Sequence, residues 1–171
     1  MTAIEITVTP LQDLPPIPAL PMWRDLAISA ARTALHEEGE VWAKTFVLTP
    51  NALIVFHLNN ALENPDAKDM LAAWMTTTLK HISAVAMVTV LEAWSSKNPN
   101  INGASADPDR GEELTIIFET PTISQVYHCN ITRDAAGVPT AAEPKTPVAS
   151  PRGRFVHWLC PEEPSDESTL N

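Results

Sequence analysis

Residues 84–94 read AVAMVTVLEAW, and this stretch decides the fold of the chain. Apolar side chains occupy both alternating sets of positions as far as Glu92, which is typical of a strand buried on its two faces. Such a strand needs a cover on each side. The sequence therefore predicts a central strand here, with helices as its cover.

Two stretches show the helical period that such a cover requires. Pro21 suits the first turn of one helix and Gly39 suits its C-terminal stop, and Asp66 is a candidate N-cap for a second helix that ends near His81. The apolar stripe of the first contains Trp23, Leu26, Ala27, Ala30, Ala31, Ala34 and Leu35. The stripe of the second contains Met70, Leu71, Trp74, Thr78, Leu79 and Ile82.

The remaining apolar runs predict strands. The alternating N-terminus is one, residues 41–48 and 53–58 form a hairpin, and residues 113–120 and 124–132 form an antiparallel pair. Residues 154–160 are a last strand or a docking segment. Because the helices are separated by hairpins, we predict an α+β single domain with an antiparallel sheet of about five to six strands and two helices packed on it.

The composition sets the boundaries of this domain. We expect an N-terminal strand at 1–9, a Pro-rich connector at 10–21 and a single α+β domain at 22–160. Residues 138–151 are rich in Pro, Ala and Thr and predict an extended crossing segment inside that domain. Residues 161–171 carry four acidic and no basic side chains, which indicates a flexible acidic tail.

Charge and cysteine content narrow the function classes. Eleven Lys and Arg against 21 Asp and Glu give 11 − 21 = −10, which opposes direct binding to nucleic-acid phosphates. The N-terminus lacks the features of a secretion signal, and no run is long and apolar enough for a membrane span. We therefore expect a soluble cytoplasmic protein without membrane contact. Cys129 and Cys160 are expected to be reduced, and a bridge between them stays open.

Catalytic motifs are missing. The five glycines, at 39, 103, 111, 137 and 153, match neither phosphate-binding loop, and residues 103–107 fail the pattern of a serine-hydrolase elbow. His36 has no second histidine four residues on, so the zinc-protease spacing fails. We predict no catalytic residue, no metal ligand and no cofactor.

Two polar groupings leave an enzymatic alternative open. His57, His128 and His157 fall in predicted strands or the docking segment, and they could form a metal or acid–base cluster if they shared a face. The acidic loop 107–113 could contribute oxygen ligands, although it lacks the calcium-loop spacing. The simpler interpretation is that the histidines are scattered. In the loop, Asp107 or Asp109 then caps a turn and Arg110 pairs with a neighbouring acid.

Aromatic and arginine side chains supply candidate partner contacts. Most of the five tryptophans are expected in the core or at its edge. Trp158 is the best candidate for an exposed anchor, because it lies close to two arginines and Trp and Arg concentrate binding energy. The predicted partner-binding residues are Trp158, Arg154, Phe155, Arg152, Asp107, Asp109 and Arg110.

Four short segments carry a resemblance. Residues 92–94 (EAW), 107–110 (DPDR), 131–134 (ITRD) and 153–155 (GRF) occur in an order that resembles a group of small bacterial and phage-encoded proteins of unknown function. The resemblance covers about residues 80–160. It implies a prokaryotic or mobile-element setting, and no activity or site residue comes with it.

Three functions follow as hypotheses. The first is a non-enzymatic binding or accessory protein that acts through protein–protein contacts with an unknown partner and forms a homo-oligomer. The second is an acidic inhibitor that imitates nucleic acid, which the charge of −10 permits. The third is a metal-dependent enzyme that uses the strand histidines and the acidic loop.

Overall fold

A computed structural model describes residues 4–58, 62, 65–96, 107–149 and 155–160. Two helices alternate with short runs of strands, as the sequence predicts. The elements are β1 (Glu5–Pro10), α1 (Leu20–Glu38), β2 (Lys44–Leu48), β3 (Ala52–His57), α2 (Pro65–His81), β4 (Ala86–Ser95), β5 (Gly111–Thr120), β6 (Ile123–Arg133), β7 (Pro139–Ala141) and β8 (Val148–Ala149).

All strands in the described part of the chain belong to one open antiparallel sheet. Its order is β1-β3-β2-β4-β5-β6-β7, and β8 also pairs with β6. The predicted α+β class, the single domain and the two helices are confirmed, with more strands than expected. The additional strands arise in segment 138–151, where β7 and β8 add to the edge of β6. Pro139 does not prevent this, because proline is tolerated as the first residue of an edge strand.

The central strand is covered on both faces. Met87 and Leu91 of β4 point to one face, where they pack in a cluster with Met75 and Leu79 of α2. Val88 points to the opposite face and packs with residues of α1. We call these the α2 face and the α1 face. The alternation that predicted a doubly covered strand therefore corresponds to one helix on each face.

Helix α1 begins and ends close to the predicted positions. It starts at Leu20, with Pro21 in its first turn, so the predicted connector at 10–21 ends earlier than expected. Residues Leu11–Asp13 of that connector form a short 3-10 helix. At the other end Gly39 adopts a φ of 84° and donates its N–H to the Leu35 carbonyl oxygen, which closes the helix in the left-handed conformation that glycine favours.

The segment 155–160 is a docking segment and contains no strand. Val156, Trp158 and Leu159 are buried in the apolar cluster on the α2 face. Beneath them the buried side chain of Glu119, on β5, accepts hydrogen bonds from the backbone N–H groups of His157 and Leu159. One carboxylate therefore fixes this segment to the sheet. The predicted tail 161–171 lies outside the described residues.

Candidate functional site

Helix α1 covers only part of its face of the sheet. It packs against β4, β5 and β7. Arg32 donates to the Ala141 carbonyl oxygen at 3.2 Å, and Nδ1 of His36 lies 3.2 Å from the Pro139 carbonyl oxygen. Both contacts hold the helix towards β7. The opposite side of α1 therefore stands beside a part of β2 and β3 that the helix does not cover.

A groove of about 400 Å³ lies between α1 and these strands. We refer to it as the α1 groove. Four alanines of α1 leave the space open: Ala27, Ala30, Ala31 and Ala34. The larger apolar residues of its lining are Trp23, Leu26, Val41, Trp42, Phe46, Leu53 and Val90.

The groove exposes large apolar side chains to solvent. Leu26 and Trp42 are each 55% exposed. Side chains of this kind, clustered in a concave surface, are typical of sites that bind a partner or a ligand. The residues preceding β2 hold Trp42 in place, because the Val41 N–H donates to the carboxylate of Glu92 on β4. A second cavity of about 340 Å³ shares Val41, Trp42 and Glu40 with the groove.

The polar groups of the α1 groove are few and unevenly placed. Glu38, the last residue of α1, and Glu40 lie at one end of the lining. Among the described residues of the lining, Lys44 at the start of β2 is the one with a positive charge. A ligand that fills the groove therefore meets a largely apolar surface with an acidic end.

The predicted anchor Trp158 is not at a surface. It is only 2% exposed, and its ring packs at 5.8 Å from that of Phe155, so the expectation of an exposed anchor is wrong. The physical reason is that Glu119 pulls the segment onto the sheet and apolar residues of the α2 face cover the indole. Arg152 and Arg154 lie outside the described residues, and their role stays a prediction.

The exposed tryptophans are not the one that the sequence predicted to be exposed. Trp23 and Trp74 are partly buried against the two cores, as expected for core-edge residues. Trp42 and Trp94 are exposed at 55% and 45%. Exposed tryptophans therefore occur beside α1 and at the end of β4, away from the C-terminal segment.

The acidic loop is built as a capped turn. Asp107 accepts hydrogen bonds from the hydroxyl of Ser96 and, at 2.9 Å, from the backbone N–H of Asp109. This confirms that an aspartate side chain caps the turn. The guanidinium of Arg110 stacks over the Trp94 ring at 4.2 Å, a cation–π contact, and the acidic partner expected for it stays a prediction.

These contacts make the loop sensitive to pH. The hydrogen bond from Ser96, followed by that from the Asp109 backbone, lowers the pKa of Asp107 from its ordinary 3.8. A lowered pKa in the folded state stabilises the protein above pH 3.8, and this stabilisation is lost as the pH falls through the lowered value. We expect Asp107→Asn to reduce Tm near neutral pH and the difference from wild type to shrink in acid.

Thermal melts between pH 7 and pH 2 test this expectation. The control is Asp109→Asn, which changes an exposed carboxylate in the same turn and is expected to alter Tm less at every pH. A deficit for Asp107→Asn that is unchanged in acid would contradict the assignment.

The histidines do not gather on one face. The strand register places His57 opposite Lys44 on the α1 face and His128 opposite Thr115 on the α2 face. His157 lies in the docking segment, where its Nδ1 is 2.9 Å from the Cys160 carbonyl oxygen. The shared face on which the predicted cluster depends is therefore not formed.

One part of that cluster does form. Nδ1 of His128 lies 3.3 Å from a carboxylate oxygen of Glu113, at the end of the acidic loop, and Lys145 approaches the other oxygen at 3.6 Å. Within the described ranges, no three His, Cys, Asp or Glu side chains are grouped to hold a metal ion. The pair is a partly buried contact between neighbouring strands.

The two cysteines are not joined by a disulfide and lie on different faces of the sheet. Cys129 is buried on the α1 face, whereas Cys160 belongs to the segment docked on the α2 face. Burial raises the pKa of the Cys129 thiol. A raised pKa keeps the thiol protonated near neutral pH, where it is a poor nucleophile.

Comparisons with known proteins return nothing for this chain. No family model, no curated protein and no solved structure matches it. In the described part of the chain, neither helix is long and apolar enough to cross a membrane.

Proposed function

We propose that this chain is a non-enzymatic binding protein whose α1 groove accepts an apolar segment of a partner protein. The observation that carries the proposal is that two half-exposed side chains, those of Leu26 and Trp42, line a groove together with the alanines of α1. Tryptophan set in a concave surface is the residue type that most often dominates the energy of a protein interface.

The length of the groove favours a peptide segment over a compact small molecule. Its lining extends along α1 from Trp23 to Glu38. At a rise of 1.5 Å per residue this is about 22 Å. An extended segment of about six or seven residues has the same length, at about 3.3 Å per residue. The partner segment is therefore a short linear one that lies along the helix.

The charges predict the chemistry of that segment. Glu38 and Glu40 lie at one end of the groove, and the whole chain carries a net charge of −10. A segment with apolar side chains fits the apolar lining, and a Lys or Arg at its Glu38 end complements the acidic charge. A basic residue beside Lys44 is disfavoured, because like charges in contact reduce affinity.

Selection from a random 12-residue peptide library displayed on phage tests the proposal, with the purified full chain as bait. We expect the enriched peptides to combine apolar residues with Lys or Arg. Ala30→Glu places a charge in the groove and is expected to weaken their binding at least tenfold, which corresponds to about 1.4 kcal/mol.

The matched control is Thr33→Glu. It adds the same charge to an exposed position of the same helix but does not line the groove. Circular dichroism and Tm verify that both variants are folded. Equal loss of binding in the two variants would place the site elsewhere, and a selection that enriches no peptide would contradict the proposal.

The two alternative functions have less support from the described residues. The surface acids are interspersed with bases, as in the pairs Glu112–Arg133, Glu143–Arg32 and Asp25–Arg24. An acidic imitation of nucleic acid needs a stripe of one charge, which these pairs interrupt. The metal-dependent enzyme needs converging histidines, and His57 and His128 lie on opposite faces.

A further inference from the structure

A second surface for association lies at the β1 end of the sheet. β1 is the terminal strand in the described sheet order and pairs only with β3. Ile6 and Val8 project on the α2 face and are 47% and 58% exposed. An exposed edge strand with apolar side chains is a template for pairing with another strand.

Hydrogen bonds at the adjoining turn fix which backbone groups of β1 point outward. The Leu11 N–H donates to the Asn51 carbonyl oxygen at 2.9 Å. Hydrogen-bonded positions alternate along an antiparallel pair, so Glu5, Thr7 and Thr9 bond to β3 in the same way. The N–H and C=O groups of Ile4, Ile6 and Val8 consequently point away from the sheet.

We propose that two copies of this chain pair through β1 as antiparallel strands, with Thr7 on the twofold axis. Ile6 of each copy then opposes Val8 of the other, and their outward N–H and C=O groups satisfy one another. Ile4 opposes Pro10, which has no N–H and acts only as an acceptor. The four exposed Ile6 and Val8 side chains form one apolar patch across the axis.

Repulsion between the Glu5 side chains favours this register over a pairing centred on Ile6. With Thr7 on the axis, Glu5 opposes Thr9 of the second copy, and the two Glu5 side chains are far apart. A pairing centred on Ile6 makes the same number of backbone bonds within residues 4–10. It brings the two Glu5 residues into diagonal positions about 7–8 Å apart, where like charges repel.

Association through β1 is separate from binding in the α1 groove. No residue of β1 lines the groove, so both can occur in one assembly. Failure of the peptide selection and failure of dimerisation are therefore distinguishable results.

Disulfide trapping tests the register. Only the residue on the twofold axis opposes its own copy, at a Cα separation of about 4.5 Å that suits a disulfide. In a Cys160→Ser background, Thr7→Cys is expected to form a covalent dimer under mild oxidation at least tenfold faster than Ile6→Cys or Val8→Cys. Faster trapping of either control would overturn the register.

Analytical ultracentrifugation from 10 to 500 µM tests the interface itself, since a dimer has twice the mass of the 18.6 kDa chain. Ile6→Pro removes an outward N–H and no bond to β3. It is expected to raise the dissociation constant of the dimer at least tenfold with Tm retained. A wild-type protein that is monomeric throughout this range would overturn the proposal, and so would an Ile6→Pro variant that dimerises normally.

Discussion

Replacing Glu119 with alanine is expected to lower the free energy of unfolding by about 3 kcal/mol, because each buried donor left without an acceptor costs about 1–3 kcal/mol. The Glu119 side chain accepts from the hydroxyl of Ser124 at 2.6 Å and from the Leu159 N–H at 2.9 Å, as well as from the His157 N–H. The residue is fully buried. Its loss leaves all three donors without this partner.

Chemical denaturation measures the change in stability, and amide hydrogen exchange at His157 and Leu159 shows whether the docking segment is released. Glu119→Gln keeps one carbonyl oxygen and is expected to lie between wild type and the alanine variant.

The control for this variant is Glu112→Ala, on the same strand. It breaks a partly exposed pair with Arg133 and is expected to cost at most about 1 kcal/mol. If Glu119→Ala costs no more than Glu112→Ala and leaves exchange at Leu159 slow, Glu119 does not hold the segment.

Replacing Trp158 with alanine is expected to destabilise the fold by about 3–5 kcal/mol, as for other buried tryptophans. Trp158 is 2% exposed and packs in the cluster that contains Met75 and Leu79 of α2. Removing the indole leaves a cavity among residues that cannot collapse fully around it. Urea denaturation, monitored by circular dichroism, measures the effect.

Trp42→Ala is the matched comparison, since it removes the same side chain from a position that is 55% exposed. We expect a stability change within about 0.5 kcal/mol, typical of surface substitutions. Binding of the selected peptides is expected to fall at least tenfold. The opposite pattern, with Trp42→Ala destabilising and Trp158→Ala neutral, would show that the two residues have been assigned to the wrong environments.

The sheet and its two helices follow from periodicity. Residues 84–94 alternate two apolar sets, and the structure buries one set under α2 and the other under α1. Pro21 marks the start of α1 because its fixed φ suits the first turn of a helix. Gly39 marks the end because glycine readily adopts the positive φ of the C-terminal cap. These signals are local, so a single sequence contains them.

The groove could not be predicted in this way. Helical period places Ala30 and Leu35 in one apolar stripe, but Leu35 is fully buried while Ala30 stays open to the groove. The difference arises because Arg32 and His36 bond to carbonyl groups of β7 and draw the helix away from β2. That displacement depends on contacts more than 100 residues apart in sequence.

The wrong prediction of an exposed Trp158 also arises from contacts between residues far apart in the sequence. Trp158 and Trp42 are indistinguishable by residue type, and the arginines near Trp158 suggested a surface. Trp158 is buried because its segment docks on Glu119 of β5, whose carboxylate accepts a hydrogen bond from the Leu159 N–H, 40 residues later in the sequence. The one signal in the sequence for this docking is Glu119, a charged residue within an otherwise apolar part of a strand.

Nuclear magnetic resonance of the ¹⁵N-labelled full chain, titrated with the strongest selected peptide, locates the bound segment residue by residue. We predict that amide shifts change along Leu26, Ala30 and Ala34 of α1 and at Trp42 and Phe46 across the groove, and that the Trp42 indole signal moves with them. Shifts confined to the α2 face or to residues 155–160, with those groove residues unchanged, would contradict the binding site proposed for this protein.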